Sequence, residues 1–335
     1  MRAVVLVGGF GTRLRPLTCS RPKQMLPIVN RPMIEFVIGN LAEHGVDDVV
    51  LSLGFLPDAF RDAYPDGHCA GVSLHYAHEP EPLDTAGAIR FAALDAGIDE
   101  RFLVLNGDVL TDLDVTQFLA FHEQCGAEAT IALHKVTDPS RYGVVPTDGD
   151  GRVLAFVEKP ERGTAPTDRI NAGTYVLEPS VLDRIHGGRP VSIEREVFPE
   201  MVRSHSLYAV DGETYWIDTG TPQEYIQAQL DLTEGLRGTP VDGVDPGAEI
   251  ATGATVVRSV VGAGATVGAG ARVEGAVLMP GARVGPGAVV EGSIIGHGAE
   301  LAAGARVVGC SVVGDGEVIA GDAVLDGDRQ PDGCP

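Results

Sequence analysis

Residues 244–328 repeat, and this repeat constrains the fold more than any other feature of the sequence. Consecutive rows of 17 residues align, and a fifth, less regular turn runs from Val313 to about Asp328; the four regular rows are 244–260, 261–277, 278–294 and 295–311. Aliphatic residues recur about every six positions, so each coil has three short strands with an inward aliphatic side chain. The pattern predicts a prism-shaped β-solenoid, and the spaced aliphatics disfavour the alternative, a disordered low-complexity segment.

The chain up to about residue 229 alternates short apolar runs with longer mixed segments. Five runs are typical of buried strands; they are residues 2–7, 48–53, 74–77, 102–105 and 130–133. Helical spacing over Met33–Glu43 stops before Gly45, a typical C-cap, and residues 115–124 form a second predicted helix with Leu119 on its apolar face. The alternation predicts an α/β fold with a mostly parallel sheet, which binds ligands beyond the carboxyl ends of its strands.

Net charge limits the partners of this protein. The 335 residues carry a formal charge of −22, which argues against nucleic acid or an anionic membrane surface. An anionic substrate would therefore need local cations, backbone N–H groups or a metal ion. The apolar runs are too short for a membrane helix, and the first residues lack the apolar stretch of a signal peptide. We therefore expect a cytoplasmic protein.

Cysteines and lysines are both scarce. The cysteines show no CxxC spacing, so we expect reduced thiols with neither a zinc site nor a disulfide; they are Cys19, Cys69, Cys125, Cys310 and Cys334. Only three of the 25 basic residues are lysines, which draws attention to Lys23, Lys135 and Lys159.

A glycine-rich turn follows the first predicted strand. Residues 8–18 read GGFGTRLRPLT, and Pro22-Lys23-Gln24 come soon after them. Such a turn lets the backbone approach a phosphate chain, while Arg13 can fork across phosphate oxygens and Lys23 supplies a point charge. The dinucleotide fingerprint GxGxxG fails because Leu14 occupies the third glycine position, and no Walker motif exists.

This string resembles the signature of the sugar-1-phosphate nucleotidylyltransferases. Further segments are similar to the family in the same order along residues 1–230; they are 79–80, 83–87, 105–108, 142–144, 156–160, 171–173 and 216–222. The repeat resembles the hexapeptide left-handed β-helix, and with residues 192–199 the closest resemblance is to the GDP-mannose pyrophosphorylase branch. The resemblance implies a Rossmann-like nucleotidyltransferase domain with a mixed, mostly parallel sheet, followed by a left-handed β-helix.

The resemblance also implies a reaction. A sugar-1-phosphate oxygen would attack the α-phosphorus of a nucleoside triphosphate in line and expel pyrophosphate, without a covalent protein intermediate. Asp108 and Asp218 would hold Mg²⁺, with Mn²⁺ as a substitute, because a hard cation needs few carboxylates besides phosphate oxygens. Arg13 and the metal would stabilise the leaving pyrophosphate, and Lys23 the α-phosphate.

The remaining matched residues are expected to bind the two substrates. Lys159 would hold the phosphate of the sugar, and Gly143, Glu158 and Asn171 its hydroxyls. The nucleotide would contact a larger set, which consists of Leu6, Gly8, Gly9, Gly11, Thr12, Arg13, Lys23, Glu79, Thr85, Gly87 and Asn106.

Glu79 bears on the choice of base. Guanine offers donors at N1 and N2 that one carboxylate accepts together, whereas uracil and thymine offer one N–H between two carbonyls. The glutamate therefore indicates GTP, and the branch implies mannose-1-phosphate. Two residues depart from the branch: Asp84 replaces a usual glycine, and Gln24 follows Lys23 as in thymidylyltransferases. Another nucleotide, or another sugar- or cyclitol-1-phosphate, stays an alternative.

Ordinary structural roles stand beside the functional ones. Asp108 and Asp218 are alternatively turn or cap residues, Lys159 a solvated loop lysine and Glu79 a surface residue. We expect His75 and His78 to be strand residues rather than metal ligands. His297 is expected to be structural, because the coils lack the loop insertions of an acyltransferase site.

A different class of function is a catalytically silent regulatory subunit that binds a nucleotide sugar. The joint presence of both aspartates, Arg13 and both motif lysines argues against it, since a silent subunit needs no metal pair. Less favoured still is a bifunctional enzyme with acyltransferase activity in the solenoid.

The composition shift near residue 240 sets the predicted domains. They are a nucleotidyltransferase domain over residues 1–238, a linker and first coil entry over 239–249, a β-helix over 250–326 and a flexible tail over 327–335. Because the motifs all precede residue 230, we expect the repeats to build a homo-oligomer and to stay outside the chemistry.

Overall fold

The computed structural model describes residues 1–212 and 214–334, in which short strands outnumber helices. The helices are α1 (Met33–Glu43), α2 (Asp58–Ala63), α3 (Asp84–Asp95), α4 (Val115–Cys125), α5 (Phe198–Arg203) and α6 (Pro222–Thr233). The strands before the repeat are β1 (Arg2–Leu6), β2 (Pro27–Ile28), β3 (Arg31–Pro32), β4 (Asp48–Leu53), β5 (His68–Cys69), β6 (Val72–His78), β7 (Phe102–Asn106), β8 (Val109–Thr111), β9 (Ala129–Lys135), β10 (Gly143–Val144), β11 (Val157–Glu158), β12 (Arg169–Leu177), β13 (Leu207–Asp211) and β14 (Trp216–Asp218).

Strands of two or three residues fill the repeat. They are β15 (Glu249–Ile250), β16 (Thr255–Val257), β17 (Val260–Val261), β18 (Thr266–Val267), β19 (Arg272–Glu274), β20 (Val277–Leu278), β21 (Arg283–Val284), β22 (Val289–Glu291), β23 (Ile294–Ile295), β24 (Glu300–Leu301), β25 (Arg306–Val308), β26 (Val312–Val313), β27 (Val318–Ile319), β28 (Val324–Asp326) and β29 (Arg329–Gln330).

The chain divides into two compact units that do not follow its linear order. The first unit consists of Met1–Gly9 and Ile34–Trp216, and the second of Phe10–Met33 and the chain from Ile217 onward. The predicted domain boundaries at residues 238 and 250 stay predictions.

A mixed sheet forms the centre of the first unit. Its main order is β11-β10-β12-β7-β1-β4-β6-β5, and β9 joins β12 to β13. Strands β7, β1, β4 and β6 are parallel neighbours, whereas β12 is antiparallel to both β7 and β9. Val4, Val50 and Val104 are fully buried because the sheet is covered on its faces, as expected for a parallel sheet. The predicted fold class is confirmed here, and each predicted strand is present with small shifts at its ends.

Both predicted helices form. Helix α1 spans the predicted residues and buries Ile34, Ile38 and Leu41. The Asp114 side chain caps α4 by accepting a hydrogen bond from the backbone N–H of Gln117 at 2.9 Å. Leu119, expected on the apolar face of α4, is only partly buried, because the buried positions are Val115, Phe118 and His122. The periodicity missed this face because a histidine lies in it, bonded to the Thr130 hydroxyl at 2.7 Å.

Three five-stranded parallel sheets form the predicted β-helix of the second unit. The orders are β15-β18-β21-β24-β27, β16-β19-β22-β25-β28 and β17-β20-β23-β26-β29. Val261, Leu278, Ile295 and Val313 stack in the buried core, one per coil. Val277 faces Ile294 at the 17-residue period, but Ile294 faces Val312, one residue further. Cys310, in the left-handed conformation at φ 63°, lies within this longer coil, and the extra residue is the reason why the fifth row is irregular.

One face of the β-helix is covered by other parts of the same unit. Val260, Val277, Ile294 and Val312 lie on the outer side of its sheet and are at most 2% exposed. Residues 10–33 and the end of α6 both contact the β-helix. Pro16 packs at Gly314, and Thr233 packs at Gly243. Within the same unit, the backbone N–H of Val29 donates to the Gln229 side chain at 3.1 Å.

The cysteine expectation was wrong for two of the five residues. Cys19 and Cys334 form a disulfide across a sequence separation of 315 residues, with their Cα atoms 5.3 Å apart. Spacing along the sequence carried no sign of this pair because only the fold brings the two segments together. Residues 327–335, expected to form a flexible tail, also include β29, which pairs with β26. In the part of the chain that the structure describes, no helix has the length and apolar character needed to cross a membrane.

Candidate active site

The carboxyl ends of the parallel strands in the first unit meet around Gly8. A Cβ atom at Gly54, just after β4, would lie 3.0 Å from the Gly8 carbonyl oxygen. A Cβ atom at Gly107, just after β7, would lie 2.8 Å from a methyl group of Val7. Both glycines are therefore required by close approach of the chain, and they bring the ends of β1, β4 and β7 together. Asp108 follows directly, partly exposed, at the edge where such sheets bind ligands.

Glu79, which follows β6, is buried beside this turn. Its side chain Oε1 accepts a hydrogen bond from the Ser52 hydroxyl at 3.0 Å, and Oε2 accepts one from the Leu83 backbone N–H at 3.2 Å. Burial raises the pKa of the Glu79 carboxyl, against the effect of these two donors. The interpretation of Glu79 as a surface residue was therefore wrong, since the residue is only 9% exposed. Each oxygen can still accept a further bond from a ligand.

The loop between Glu79 and α3 is fixed at both ends. Asp84 has φ 58°, the left-handed conformation that favours glycine, and its carboxylate accepts from the Thr85 N–H at 2.7 Å. The Thr85 hydroxyl donates to Glu194 at 2.8 Å and accepts from the Ile193 N–H at 2.9 Å. Glu194 therefore holds the predicted base-reading loop. In the sequence, Glu194 stands in a segment that carries only a resemblance, and nothing there indicates this role.

Gly143, Glu158 and Lys159 lie together in the first unit, as predicted for the sugar phosphate. A Cβ atom at Gly143 would lie 2.6 Å from the Phe156 ring and 3.1 Å from a Glu158 carboxylate oxygen. The Lys159 ammonium is 3.0 Å from the other Glu158 oxygen and is 60% exposed, so it is accessible to a ligand. Its backbone N–H donates to the Tyr142 carbonyl at 3.0 Å, which fixes the start of this side chain.

The Asn171 side chain forms hydrogen bonds with other residues of the first unit. Its amide Nδ2 donates to the Tyr175 hydroxyl at 2.8 Å, and Oδ1 accepts from the Gly173 N–H at 2.9 Å. A Cβ atom at Gly173 would lie 2.6 Å from the Asn106 amide, so this glycine allows Asn106 to approach. Asn171 and Asn106, predicted to bind different substrates, thus flank one turn of the first unit. The sequence did not indicate that Tyr175, which is buried, fixes this turn.

Trp216 provides another contact that the sequence did not assign. Its indole N–H donates to the Ala172 carbonyl at 2.9 Å, and its ring stacks on His134 at 5.0 Å between centroids. Burial lowers the pKa of His134, which favours the neutral ring in this stack. His75, one of the two histidines predicted to be strand residues, lies in β6. Its ring Nε2 atom is 2.8 Å from the Asp95 Oδ2 atom.

Arg13 and Asp218 lie close to each other in the second unit. The Arg13 Nη2 atom is 4.0 Å from the Asp218 Oδ2 atom, and Asp218 Oδ1 accepts from the Gly220 N–H at 3.0 Å. A Cβ atom at Gly220 would collide with the Arg13 guanidinium and would lie 2.8 Å from Asp218 Oδ1. Gly220 therefore allows Arg13 and Asp218 to approach each other, a role that its place within residues 216–222 does not indicate.

Gly11 anchors the signature turn within the same unit. It has φ 59°, and its carbonyl accepts from the Thr18 hydroxyl at 2.9 Å. A Cβ atom here would lie 3.0 Å from the Thr18 methyl group and 3.3 Å from the Lys23 Cβ atom. The glycine thus allows Lys23 to lie beside the turn, while Arg13, 55% exposed, extends towards solvent.

The predicted site residues are divided between the two units. Those of the first unit are Leu6, Gly8, Gly9, Glu79, Thr85, Gly87, Asn106, Asp108, Gly143, Glu158, Lys159 and Asn171. Those of the second unit are Gly11, Thr12, Arg13, Lys23 and Asp218.

The donor chemistry of the two aspartates fits a hard divalent cation. Within residues 1–212 and 214–334, no three His, Cys, Asp or Glu side chains cluster as a metal site. Mg²⁺ needs no such cluster, since it takes one or two carboxylates plus phosphate oxygens and waters. Asp108 is partly exposed and the Asp218 side chain is 18% exposed, so their carboxylates retain access.

The geometry defines an α/β protein whose glycine turn and cations suit a phosphate chain, with a β-helix after it. The family model "Nucleotidyl transferase" matches residues 2–235, and "GMPPB C-terminal domain" matches residues 240–329. The chain belongs to the nucleotidyl transferase family and is an enzyme of that class. Enzymes of this family generally use a divalent metal ion.

Individual relatives agree with this assignment. "Mannose-1-phosphate guanylyltransferase" of Mycobacterium tuberculosis is 41% identical over 268 residues, 77% of this chain and 74% of that protein. "Mannose-1-phosphate guanylyltransferase catalytic subunit beta" of Drosophila melanogaster is 40% identical over 266 residues, 75% of this chain and 71% of that protein. A crystal structure of HddC from Yersinia pseudotuberculosis complexed with GMP-PN has a TM-score of 0.58 at 30% identity, covering 68% of this chain and 97% of that one.

Proposed function

We propose that the protein is a mannose-1-phosphate guanylyltransferase, which joins GTP and mannose-1-phosphate to give GDP-mannose and pyrophosphate. The carrying observation is the Glu79 carboxylate, buried beside Gly8 and oriented by Ser52 and Leu83. A carboxylate matches the paired N1 and N2 donors of guanine, whereas glutamine offers only one acceptor oxygen. The names of the relatives at about 40% identity, and the guanine nucleotide analogue in the HddC structure, support the same choice.

The phosphates of GTP are assigned to the signature turn. We assign the leaving pyrophosphate to Arg13, because its guanidinium is more than half exposed and lies 4.0 Å from Asp218. A phosphate oxygen would form a shorter, forked contact with this guanidinium. Lys23, placed beside Gly11, is assigned to the α-phosphate. Backbone N–H groups of the glycine turn would supply further donors.

We assign Mg²⁺, replaceable by Mn²⁺, to Asp108 and Asp218. When bound, the ion neutralises charge on the phosphates and on the leaving group. The contribution of the chain is to hold the two carboxylates: Asp108 by the close approach of Gly107 to Val7, and Asp218 by the Gly220 N–H.

Mannose-1-phosphate is assigned to the residues around Gly143. The exposed Lys159 ammonium would take the phosphate, and the Glu158 carboxylate, 3.0 Å from it, would accept a hydrogen bond from a sugar hydroxyl. Asn171 would contribute a hydroxyl contact through the amide proton and lone pair that its bonds to Tyr175 and Gly173 leave.

A screen of pyrophosphate release with five nucleoside triphosphates against a panel of sugar- and cyclitol-1-phosphates tests this function. We expect GTP with mannose-1-phosphate to give the highest kcat/KM, by about tenfold over UTP or dTTP, as one bidentate base contact allows. A preference for dTTP or UTP would contradict the assignment and would favour the alternative suggested by Asp84 and Gln24. No turnover with any pair would instead favour the silent regulatory subunit.

We also propose that the β-helix associates with a second copy of the chain. Its outer faces leave aliphatic side chains exposed, with Val318 at 69%, Val324 at 61% and Val257 at 43%. A short solenoid also ends in an open edge, which needs capping or burial. Light scattering at micromolar concentration should give the mass of an oligomer, and a monomer would contradict the proposal.

A further inference from the structure

One loop position of the β-helix changes from apolar to polar along the coils. It follows the strand of the third sheet in each coil and is occupied by Ala263, Pro280, His297 and Asp315 in turn. The last two stack directly, because the His297 backbone N–H donates to Asp315 Oδ1 at 2.9 Å. The fourth and fifth coils thus present two polar side chains where the earlier coils present none.

Both side chains bind Arg21, which belongs to the same unit. The Arg21 Nη2 atom is 2.8 Å from Asp315 Oδ2, and Nη1 is 3.0 Å from His297 Nε2. Because a guanidinium can only donate, His297 Nε2 must accept, which requires a neutral ring. The Ser20 hydroxyl adds a bond to Asp315 Oδ2 at 3.1 Å.

This arrangement differs from an ordinary surface ion pair. The Arg21 and Asp315 side chains are 29% and 23% exposed, whereas those of Arg283 and Glu300, paired on another face of the same β-helix, are 65% and 45% exposed. Exposed pairs contribute little to stability because solvent screens them. The Arg21 contact is partly enclosed and has several donors, which fixes its geometry.

Arg21 lies between the two cations assigned to the nucleotide. It follows Arg13 by eight residues and precedes Lys23 by two. Pro16, also between the cations, packs within 3.1 Å of the position of a Cβ atom at Gly314, next to Asp315. The segment between Arg13 and Lys23 therefore contacts the fourth and fifth coils.

We propose that Arg21 and Asp315 are positioning residues for the triphosphate: the β-helix, through this contact, sets the placement of Arg13 and Lys23. The proposal rests on the proposed function only in taking a nucleoside triphosphate as the ligand. It gives the β-helix a part in the reaction step without placing any of its residues on the substrate.

Steady-state kinetics of the full chain tests the proposal, with Arg21→Ala, Arg21→Lys and Asp315→Asn compared with the matched control Arg283→Ala. We expect Arg21→Ala to raise the KM for the triphosphate and to lower kcat, each by about tenfold, because small displacements of binding groups have effects of this size. The KM for the sugar phosphate should stay within about twofold, since Lys159 and Glu158 belong to the first unit and Arg21 to the second. Arg21→Lys should recover part of the loss, and Arg283→Ala should behave as the parent.

Hydrogen exchange of residues 10–33 without substrates is the second readout. Faster exchange there in Arg21→Ala, and not in Arg283→Ala, supports the proposal even if GTP proves to be the wrong nucleotide. Unchanged exchange together with an unchanged triphosphate KM would overturn it. A loss of activity at constant KM, with a lower melting temperature, would also overturn it, because that result describes support of the fold only.

Discussion

The β7-β1-β4-β6 part of the first unit's sheet and the β-helix of the second unit both consist of parallel strands, yet the residues to which we assign roles are placed differently in them. In the sheet, the sequence that follows one strand differs from the sequence that follows the next: Gly8, Gly54 and Asp108 come after three different strands. In the β-helix, the coils repeat, and the inward Val261, Leu278 and Ile295 are interchangeable in kind. The site residues that we assign to the sheet therefore follow the ends of its strands.

In the β-helix, the residues to which we assign a role are those that depart from the repeat. His297 and Asp315 replace small or apolar residues of the earlier coils, and Cys310 adds one residue to the coil between them. These departures lie in the two coils that contact Arg21. A regular coil needs only to pack on its neighbours, so its sequence is free to repeat. The comparison predicts large effects for changes at strand ends and smaller ones for changes in the coils.

The largest effect is expected from the two aspartates. Asp108→Asn and Asp218→Asn should each lower kcat by about a thousandfold, because loss of one carboxylate charge weakens metal binding worth several kcal/mol to the transition state. The fold should survive, since both side chains retain solvent access. Kinetics at saturating Mg²⁺, with circular dichroism as a check on folding, measures this.

Asp112→Asn provides a matched control for Asp108→Asn, because Asp112 is an exposed aspartate near the same strand and outside the assigned site. Near-normal turnover of either metal-site variant at saturating Mg²⁺ would show that the substituted residue does not bind the metal.

The next effect comes from removing the β-helix. The sequence motifs predicted that the repeats stay outside the chemistry, but residues 10–33 fold with them and bind Asp315 through Arg21. We therefore expect a chain ending at Arg237 to lose about a hundredfold in kcat/KM for the triphosphate, through misplacement of Arg13 and Lys23. Activity close to that of the full chain would show that the β-helix has no part in the reaction and serves only in association with a second copy of the chain. Should the shortened chain fail to fold, the Arg21 variants in the full chain decide the question.

Local features of both units were accessible from the sequence. The 17-residue rows predicted the register in which Val260 faces Val277, and the end of a buried run predicted the place of Asp108. Periodicity and strand ends are properties of neighbouring residues, so a local pattern contains them.

Contacts between distant segments were not accessible. The Cys19–Cys334 disulfide and the Arg21–Asp315 pair join residues about 300 positions apart. The burial of Glu79 depends on Ser52, a residue of a different strand. No local pattern encodes such pairs, because they exist only once the chain has folded. This is why the sequence did not predict that Phe10–Met33 belongs with the β-helix.

A change of nucleotide preference is expected from Glu79→Gln. Guanine would lose one acceptor oxygen, so the ratio of kcat/KM for GTP over UTP should fall by about tenfold, within the range of a bidentate base contact. The glutamine oxygen can still accept from the Leu83 N–H, and the Ser52 hydroxyl can accept from the new amide group, which keeps the loop in place. Glu81→Gln, an exposed neighbour in the same loop, is the control. An unchanged nucleotide profile would show that Glu79 does not contact the base.

The smallest effect concerns the pH dependence of stability through His297. Burial, and after it the Arg21 guanidinium, hold the pKa of His297 below its ordinary value of 6.5, whereas Asp315 acts in the opposite direction. The unfolded chain therefore binds a proton at this residue at a higher pH than the folded chain does. Stability should be unaffected above about pH 6.5 and should decrease as the pH falls from there towards the lowered pKa.

His297→Gln isolates this contribution, because a glutamine can still accept from Arg21 but does not titrate. His122 and His134 also have lowered pKa values, and their effect is common to both proteins, so only the difference between the two melting curves is informative. We expect the parent to lose at most about 2 °C more than the variant between pH 7 and pH 5. Parallel curves would mean that His297 is not held neutral by its burial beside Arg21.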